Sequence, residues 1–437
     1  MPSTILFLCG TLLLSLNFVR PFGLAISDWI YFFALLLAIL ETFTIDRGNV
    51  SCWIGNKLLP FAWAILMGGL ISMFRSQFPT VASVELTEQI YAVTLFVSLV
   101  WVMVRRGQTE KLVTAFIVSG IFAASVAAFD YLSGASLGNV LSGTVGRSYW
   151  GRYAGPLGHP NKLGYFLVLT ATITIARLAG ARKPNLITYG VALLVQLFAI
   201  YLSGSVTAYL GIATGLGAAL IASRQVRRRM LIYSSPIVAL LVVVSLLPWT
   251  SRVSPLKDLL TGIMGDVDRV RDTTALSRID IYRLAIDQVA KDLIVGVGYD
   301  QLSTSSLAPQ ARLLPGSIHN TFLQLLYSGG LLAFVGTIGL YAYLAYSAIQ
   351  ALHPGKRRSL TLVGLAASVL AMALMDQFQD AIYQREQWLT AGLFLGTWWS
   401  TVEGQNLGRP RSRSHRWHLP GEKARILAQR GQESGSE

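Results

Sequence analysis

Charge is scarce in this chain. Only 13% of its 437 residues are charged while 53% are hydrophobic, and the apolar residues fall in long unbroken runs rather than alternating with polar ones. That excludes an ordinary soluble domain, whose composition is about 25% charged. Cysteine is nearly absent as well. Cys9 and Cys52 lie in or beside early apolar runs without metal or redox spacing, so no disulfide framework is implied. The first run, Ile5 to Val19, lacks a basic leading region and a clear small-residue cleavage site, and reads as a retained helix rather than a signal peptide. No internal repeat supports a transporter of inverted halves. Acidic residues are too few to balance the basic ones, which leaves a net charge of +14. The excess sits in short clusters between apolar runs, where positive charge sets orientation. The expected partners are therefore membrane lipids and not nucleic acid.

What remains is a series of runs each long enough to cross the hydrocarbon core as a helix, the form that satisfies its own backbone hydrogen bonds in lipid. The runs predict an all-α polytopic membrane protein of about twelve helices, near 3-19, 26-45, 58-74, 88-104, 110-132, 163-179, 185-202, 206-222, 231-248, 320-350, 359-375 and 387-402. Arg105-Arg106, Arg182-Lys183, Arg224 with Arg227 to Arg229, and Lys356 to Arg358 fall on alternate loops, which assigns those loops and both termini to the cytoplasm. The predicted organisation is a transmembrane domain over 1-403, with a large extracytoplasmic loop at 249-319, followed by a basic, disordered tail at 404-437.

That large loop carries eight basic and eight acidic residues. Loops of such length are usually functional or disordered. Order is expected here, because Leu276 to Leu293 reads as an amphipathic helix with Leu276, Ile279, Ile286, Val289 and Leu293 near one face, resting on the membrane surface.

Four groups of residues can carry chemistry. The loop before the helix near 163-179 mixes Arg147 and Arg152 with aromatics, His159 and Asn161. Arginine grips phosphate bidentately and aromatic rings stack on sugars, whereas an interfacial belt is the plainer reading. In the amphipathic helix, Arg278 and Tyr282 share a face at i, i+4, as a phosphate clamp needs. Arg283 lies between Asp280 and Asp287, so an ion pair competes with a diphosphate-binding role. His319 opens the helix near 320-350, followed by Asn320. A helix N-terminus disfavours the imidazolium, leaving a neutral base that can accept a proton from an attacking hydroxyl. The alternative is a cap or a headgroup contact. Finally, Asp376 and Asp380 crowd outside the last two helices, to orient His319 or an acceptor sugar, or to pair with Arg385. Asp266 and Asp268, beside Arg269 and Arg271, read as a solvated charge cluster rather than a metal site.

Taken together, Gly158-His159-Pro160-Asn161 with Gly164, Ser203-Gly204-Ser205, Ser277-Arg278 through Gly296-Val297-Gly298, and His319-Asn320 resemble the O-antigen ligase and polymerase superfamily of bacterial envelope glycosyltransferases. The resemblance implies an inner-membrane enzyme without metal or cofactor. It takes a glycan linked to undecaprenyl diphosphate and transfers it, outside the cytoplasm, to a glycan or lipid-linked acceptor. It implies that Arg278 binds the diphosphate, that His319 activates the acceptor hydroxyl, and that the anomeric configuration inverts. One departure stands out. The family often carries an arginine just after the serine-rich turn, where this chain has Val206-Thr207, and Arg147 or Arg152 is the expected replacement.

A polymerase is preferred, because it needs only the shared parts. A ligase acting on lipid A core also needs an acceptor surface that the sequence does not reveal. A lipid flippase is the reading from a different class. It is disfavoured because ionisable residues inside the helices are few, Glu41 and Asp130 being the clearest.

Overall fold

The computed structural model describes residues 2–16, 25–45, 52–76, 78–106, 108–143, 152–229, 275–298, 318–353, 359–381 and 384–407. Among them the chain is helical throughout, with no strand: α1 Pro2–Leu12, α2 Ile26–Ile45, α3 Cys52–Arg75, α4 Pro79–Arg106, α5 Thr109–Ser133, α6 Leu137–Ser142, a 3-10 turn Gly155–Leu157, α7 Pro160–Gly180, α8 Lys183–Ser203, α9 Val206–Ala222, α10 Ala275–Val289, α11 Thr321–Leu352, α12 Leu360–Met375 and α13 Arg385–Leu407. Met1–Trp398 form one compact unit and Trp399–Glu437 a second. Among the described residues six helices, within α3, α4, α5, α7, α8 and α11, are long and apolar enough to cross a membrane, and four shorter apolar ones lie in α1, α2, α9 and α12. The helix expected near 231-248 lies outside the described residues, as do Arg147, Asp266, Asp268 and the tail beyond 407.

The centre of the bundle is α7, nearly all of whose residues are buried. It packs against α5, α8, α9 and α12. Its threonines can be buried because Thr172 and Thr174 donate to the carbonyls of Val168 and Thr170 one turn back, at 2.8 and 2.9 Å. The two ends of α7 differ in chemistry. At its C-terminus Arg177 pairs with Glu110 of α5 at 2.5 Å, and Arg229 donates to the Ala181 carbonyl at 2.6 Å, so basic side chains meet the negative end of the helix dipole. The opposite end gathers His159, the α8–α9 turn, Thr321 and Asp376.

The unbroken helix expected near 320-350 is in fact two. Gly330 adopts φ 67° and ψ −166°, a conformation essentially reserved for glycine. Beyond it the chain doubles back. The ring centroids of Phe322 and Tyr341 are 4.8 Å apart, whereas a straight helix would separate these residues by about 28 Å. The result is a helical hairpin with a short limb, 321–329, and a long limb, 331–352. The long limb, at roughly 33 Å, is still able to cross the hydrocarbon core by itself.

The segment after α10 plugs the break. Val297 N–H donates to the Tyr327 carbonyl at 2.7 Å, and Leu331 N–H donates to the Leu293 carbonyl at 2.9 Å, so backbone groups orphaned at the elbow find partners. A Cβ on Gly296, which has φ 82°, would lie 2.5 Å from the Gly330 nitrogen, so nothing larger fits.

This docking uses a different apolar face of α10. Ile281, Ala285 and Val289 are buried against Ile318 and Tyr327. Ile286 is 54% and Leu293 45% exposed. The helix packs on the short limb by a face that shares Val289 with the predicted stripe, while Ile286 and Leu293 of that stripe stay exposed. The side chains of Leu276 and Ile279 lie outside the described residues.

Candidate functional site

The first half of the site is built on the start of α7. His159 is the N-cap in an extended conformation, its Nδ1 accepting the Asn161 N–H at 3.1 Å, and Pro160 occupies the first helical position, where no N–H is needed. Gly164, one turn on, lets the α8–α9 turn approach, since a Cβ there would lie 3.0 Å from Ser203 Oγ and Ser205 Cβ. Arg152 lies across that turn. Its Nε donates to the Ser203 carbonyl at 2.8 Å and its terminal nitrogen to Asn161 Oδ1 at 2.5 Å. Next to it, Tyr153 stacks edge-on against Tyr131, which packs in the same way on Phe198. Burial, with the neighbouring Tyr131, pushes the Tyr153 phenol up.

The second half is the turn before the short limb of α11. Asn320 is its N-cap, with Oδ1 accepting the Leu323 N–H at 2.9 Å. His319 precedes the cap and sits at φ 52°, where it is the one non-glycine residue with positive φ among those described. Such a conformation is uncommon outside glycine and costs on the order of 1 kcal/mol. Tyr282 of α10 donates to the His319 carbonyl at 3.2 Å. The other side of the turn is strapped to the loop after α12. Thr321 N–H donates to the Asp376 carbonyl at 2.9 Å, Thr321 Oγ1 to the Gln379 carbonyl at 2.8 Å, and Asn320 Nδ2 to the Gln377 carbonyl at 3.0 Å.

Asp376 joins the two halves. Its buried carboxylate accepts Tyr165 O–H from α7 at 2.9 Å and Tyr341 O–H from the long limb at 2.5 Å. Gln387 of α13 donates in turn to the Tyr341 oxygen. Burial pushes the Asp376 carboxyl up to about 7, and the two tyrosine donors pull only part of the way back. The carboxylate therefore does not pair with Arg385. That arginine is bound to Asp28 of α2 at 2.9 Å and to Ser27 at 2.6 Å.

Of the residues that the sequence nominates, the structure brings Arg152, His159 and Asn161 together, and separately His319, Asn320, Tyr282, Asp376 and Asp380. Arg283 is exposed on α10. The backbone of Arg278 is helical, one turn before Tyr282 on the same face, and its side chain lies outside the described residues. Sequence reasoning missed Thr321, Tyr165, Tyr341 and Gln387. Lone polar residues inside apolar runs leave no spacing signal. Only a resemblance in position, with Tyr165 one turn from Asn161, could have singled one out.

Residues 191–338 match a family model described as O-Antigen ligase, a stretch that includes the Ser203-Gly204-Ser205 turn, Arg278 and His319. No curated protein matches the chain. The match spans roughly a third of the chain, and over that stretch the chain is similar to the O-antigen ligase family.

Proposed function

We propose that this protein is a bacterial inner-membrane glycosyltransferase. It transfers a glycan from undecaprenyl diphosphate to a sugar hydroxyl on the extracytoplasmic face, and extension of a lipid-linked glycan is preferred to transfer onto lipid A core. The observation that carries the reading is the His319 turn. Asn320, not His319, supplies the helix cap, and a strained backbone is retained at His319. Strain of this kind clusters at functional sites.

In this reading a nitrogen of His319 accepts the proton of the acceptor hydroxyl as its oxygen bonds to the anomeric carbon. The bond from that carbon to the diphosphate breaks on the opposite face, so the configuration inverts and undecaprenyl diphosphate leaves with the electron pair. Arg278 and Arg152 stabilise the charge on the leaving group, a contribution of about 10² to 10³ in rate per donor in comparable sites. Arg152 takes the place of the arginine missing at Val206-Thr207, since it already lies against the turn that precedes them. Arg147 and Arg283 are further candidates for the diphosphate. Asp380, Asn161 and His159 support the acceptor side or the turns around it.

A charged translocation path has little support. Glu41 accepts Ser3 Oγ at 2.7 Å, and Asp130 caps α6 through the amides of Leu137 and Gly138, each at 2.8 Å.

The test is His319→Ala, with insertion and folding checked. Glycan extension in cells is expected to be abolished, and full activity would rule His319 out as the base. In a deletion strain, single repeats on the final acceptor indicate a polymerase, and long chains stranded on the lipid carrier indicate a ligase. Reconstituted protein that translocates lipid without forming a glycosidic bond would overturn both.

A further inference from the structure

We propose that Tyr165, Asp376, Tyr341 and Gln387 form a latch that sets the angle of the α11 hairpin and thereby places the His319–Asn320 turn, with Tyr341 as its positioning residue. The kinetic consequence rests on the function proposed above. The structural consequence does not.

Two observations carry the inference. First, one residue holds both limbs. The Asp376 carboxylate takes the hydroxyl of Tyr341 on the long limb, while its carbonyl takes the N–H of Thr321, the first residue of the short limb. Tyr165 anchors the same carboxylate to the central helix, and Gln387 anchors Tyr341 to α13. Second, Tyr341 meets the short limb directly: its ring packs on that of Phe322 with centroids 4.8 Å apart, so the residue that carries the linking hydroxyl also touches the limb it positions.

The lever is long enough for this to matter. The short limb is about 13 Å long, so a 10° change at the elbow moves the His319 turn by about 2 Å. A misplacement of about 1 Å can cost 10²-fold in rate. The chain of hydroxyls is buried, where a satisfied polar network rigidifies strongly and a broken one is costly.

Tyr341→Phe removes the linking hydroxyl and keeps the ring against Phe322. In the full-length reconstituted protein, amide hydrogen exchange over 318–326 is expected to quicken at least tenfold. The acceptor KM should rise several-fold and kcat fall about tenfold, with the donor KM unchanged. A fraction of inactive protein lowers the apparent kcat alone, so the acceptor KM separates displacement from simple loss of fold. Asp376→Asn, which keeps an acceptor for a tyrosine and the carbonyl for Thr321, should retain more activity than Asp376→Ala.

Unchanged exchange in the folded Tyr341→Phe protein overturns the latch whatever the rate. Faster exchange with unchanged kinetics overturns its link to the reaction. If the parent protein forms no glycosidic bond, the functional reading falls while the exchange measurement still decides the latch. Should Tyr341→Phe fail to fold, Tyr165→Phe removes a donor from the same carboxylate and is read in the same way.

Discussion

Two turns in this molecule look alike on paper: His159-Pro160-Asn161 before α7 and His319-Asn320-Thr321 before α11. Each places a histidine and an asparagine at a helix start. In the first, the histidine is itself the cap. It is extended, and its Nδ1 is occupied by the Asn161 amide, while Asn161 receives Arg152. In the second, the asparagine caps and the histidine is pushed one residue out, into a left-handed backbone conformation. One residue of register thus separates a histidine that completes a helix from one relieved of that task. The helices behind them differ as well. The first turn heads the straight, central α7, and the second heads the short limb of a broken helix.

The sharpest way to break the comparison is to exchange losses. His319→Ala should lower transferase activity by about 10³-fold, within the range for a lost general base, with little change in thermal unfolding. His159→Ser, which can still cap, should stay within a few-fold of the parent. Equal losses in both would mean that the difference in register has no functional weight.

Next in size is the elbow. A Cβ at Gly330 would lie 2.4 Å from the Ile294 carbonyl oxygen, in a conformation that L-residues avoid. Gly330→Ala should destabilise the protein by about 3 kcal/mol, seen as a lowered unfolding temperature in detergent. It should quicken amide exchange over 318–326 while leaving 159–165 protected.

Acidity offers a subtler probe. The Asp376 carboxyl is raised to about 7 in the folded protein by burial, and it releases its proton near the ordinary carboxylate range once unfolded. The folded state therefore holds the proton more tightly. Its stabilisation is complete below about pH 4 and is lost as pH rises through about 7. Unfolding temperature across that window should fall in the parent and fall less in Asp376→Asn. An identical slope in both would remove Asp376 as the cause.

The smallest effect expected is on strain. His319→Gly should be more stable than His319→Ala by about 1 kcal/mol, because glycine adopts the left-handed conformation without penalty. His159→Ala should lose about 1 kcal/mol with its cap. The reverse order in equilibrium unfolding would contradict the backbone assignments of the two turns.

Much of this architecture is legible before folding. The apolar runs place the helices because lipid allows little else, and most boundaries fall within a few residues, although α4 begins at Pro79, well before the expected 88. Arg152 was nominated from a gap at Val206-Thr207, and it lies against the turn just before that gap. The hairpin was not legible. Hydropathy averages over Gly329-Gly330, and two limbs of one apolar run look the same whether the chain continues or turns back. The face by which α10 docks was not legible for a related reason: Ile286 and Val289 share a stripe, but only the partner helix decides which of them it covers. Tyr165 and Tyr341 were silent because a lone tyrosine in an apolar run reads as core.

The sequence by itself determined a helical membrane protein, the order of its helices, and the short list of histidines and arginines from which a site can be made. These follow from local properties, namely the length of apolar runs, the charge between them, and the capping residues at their ends. Only the tertiary structure decided that the helix after His319 doubles back at Gly330, that Asp376 takes two tyrosines instead of Arg385, and that one histidine caps a helix while the other does not. Those outcomes depend on which distant groups share a low-dielectric interior. There each buried donor and acceptor must find a partner, and many pairings that a linear pattern permits reduce to one.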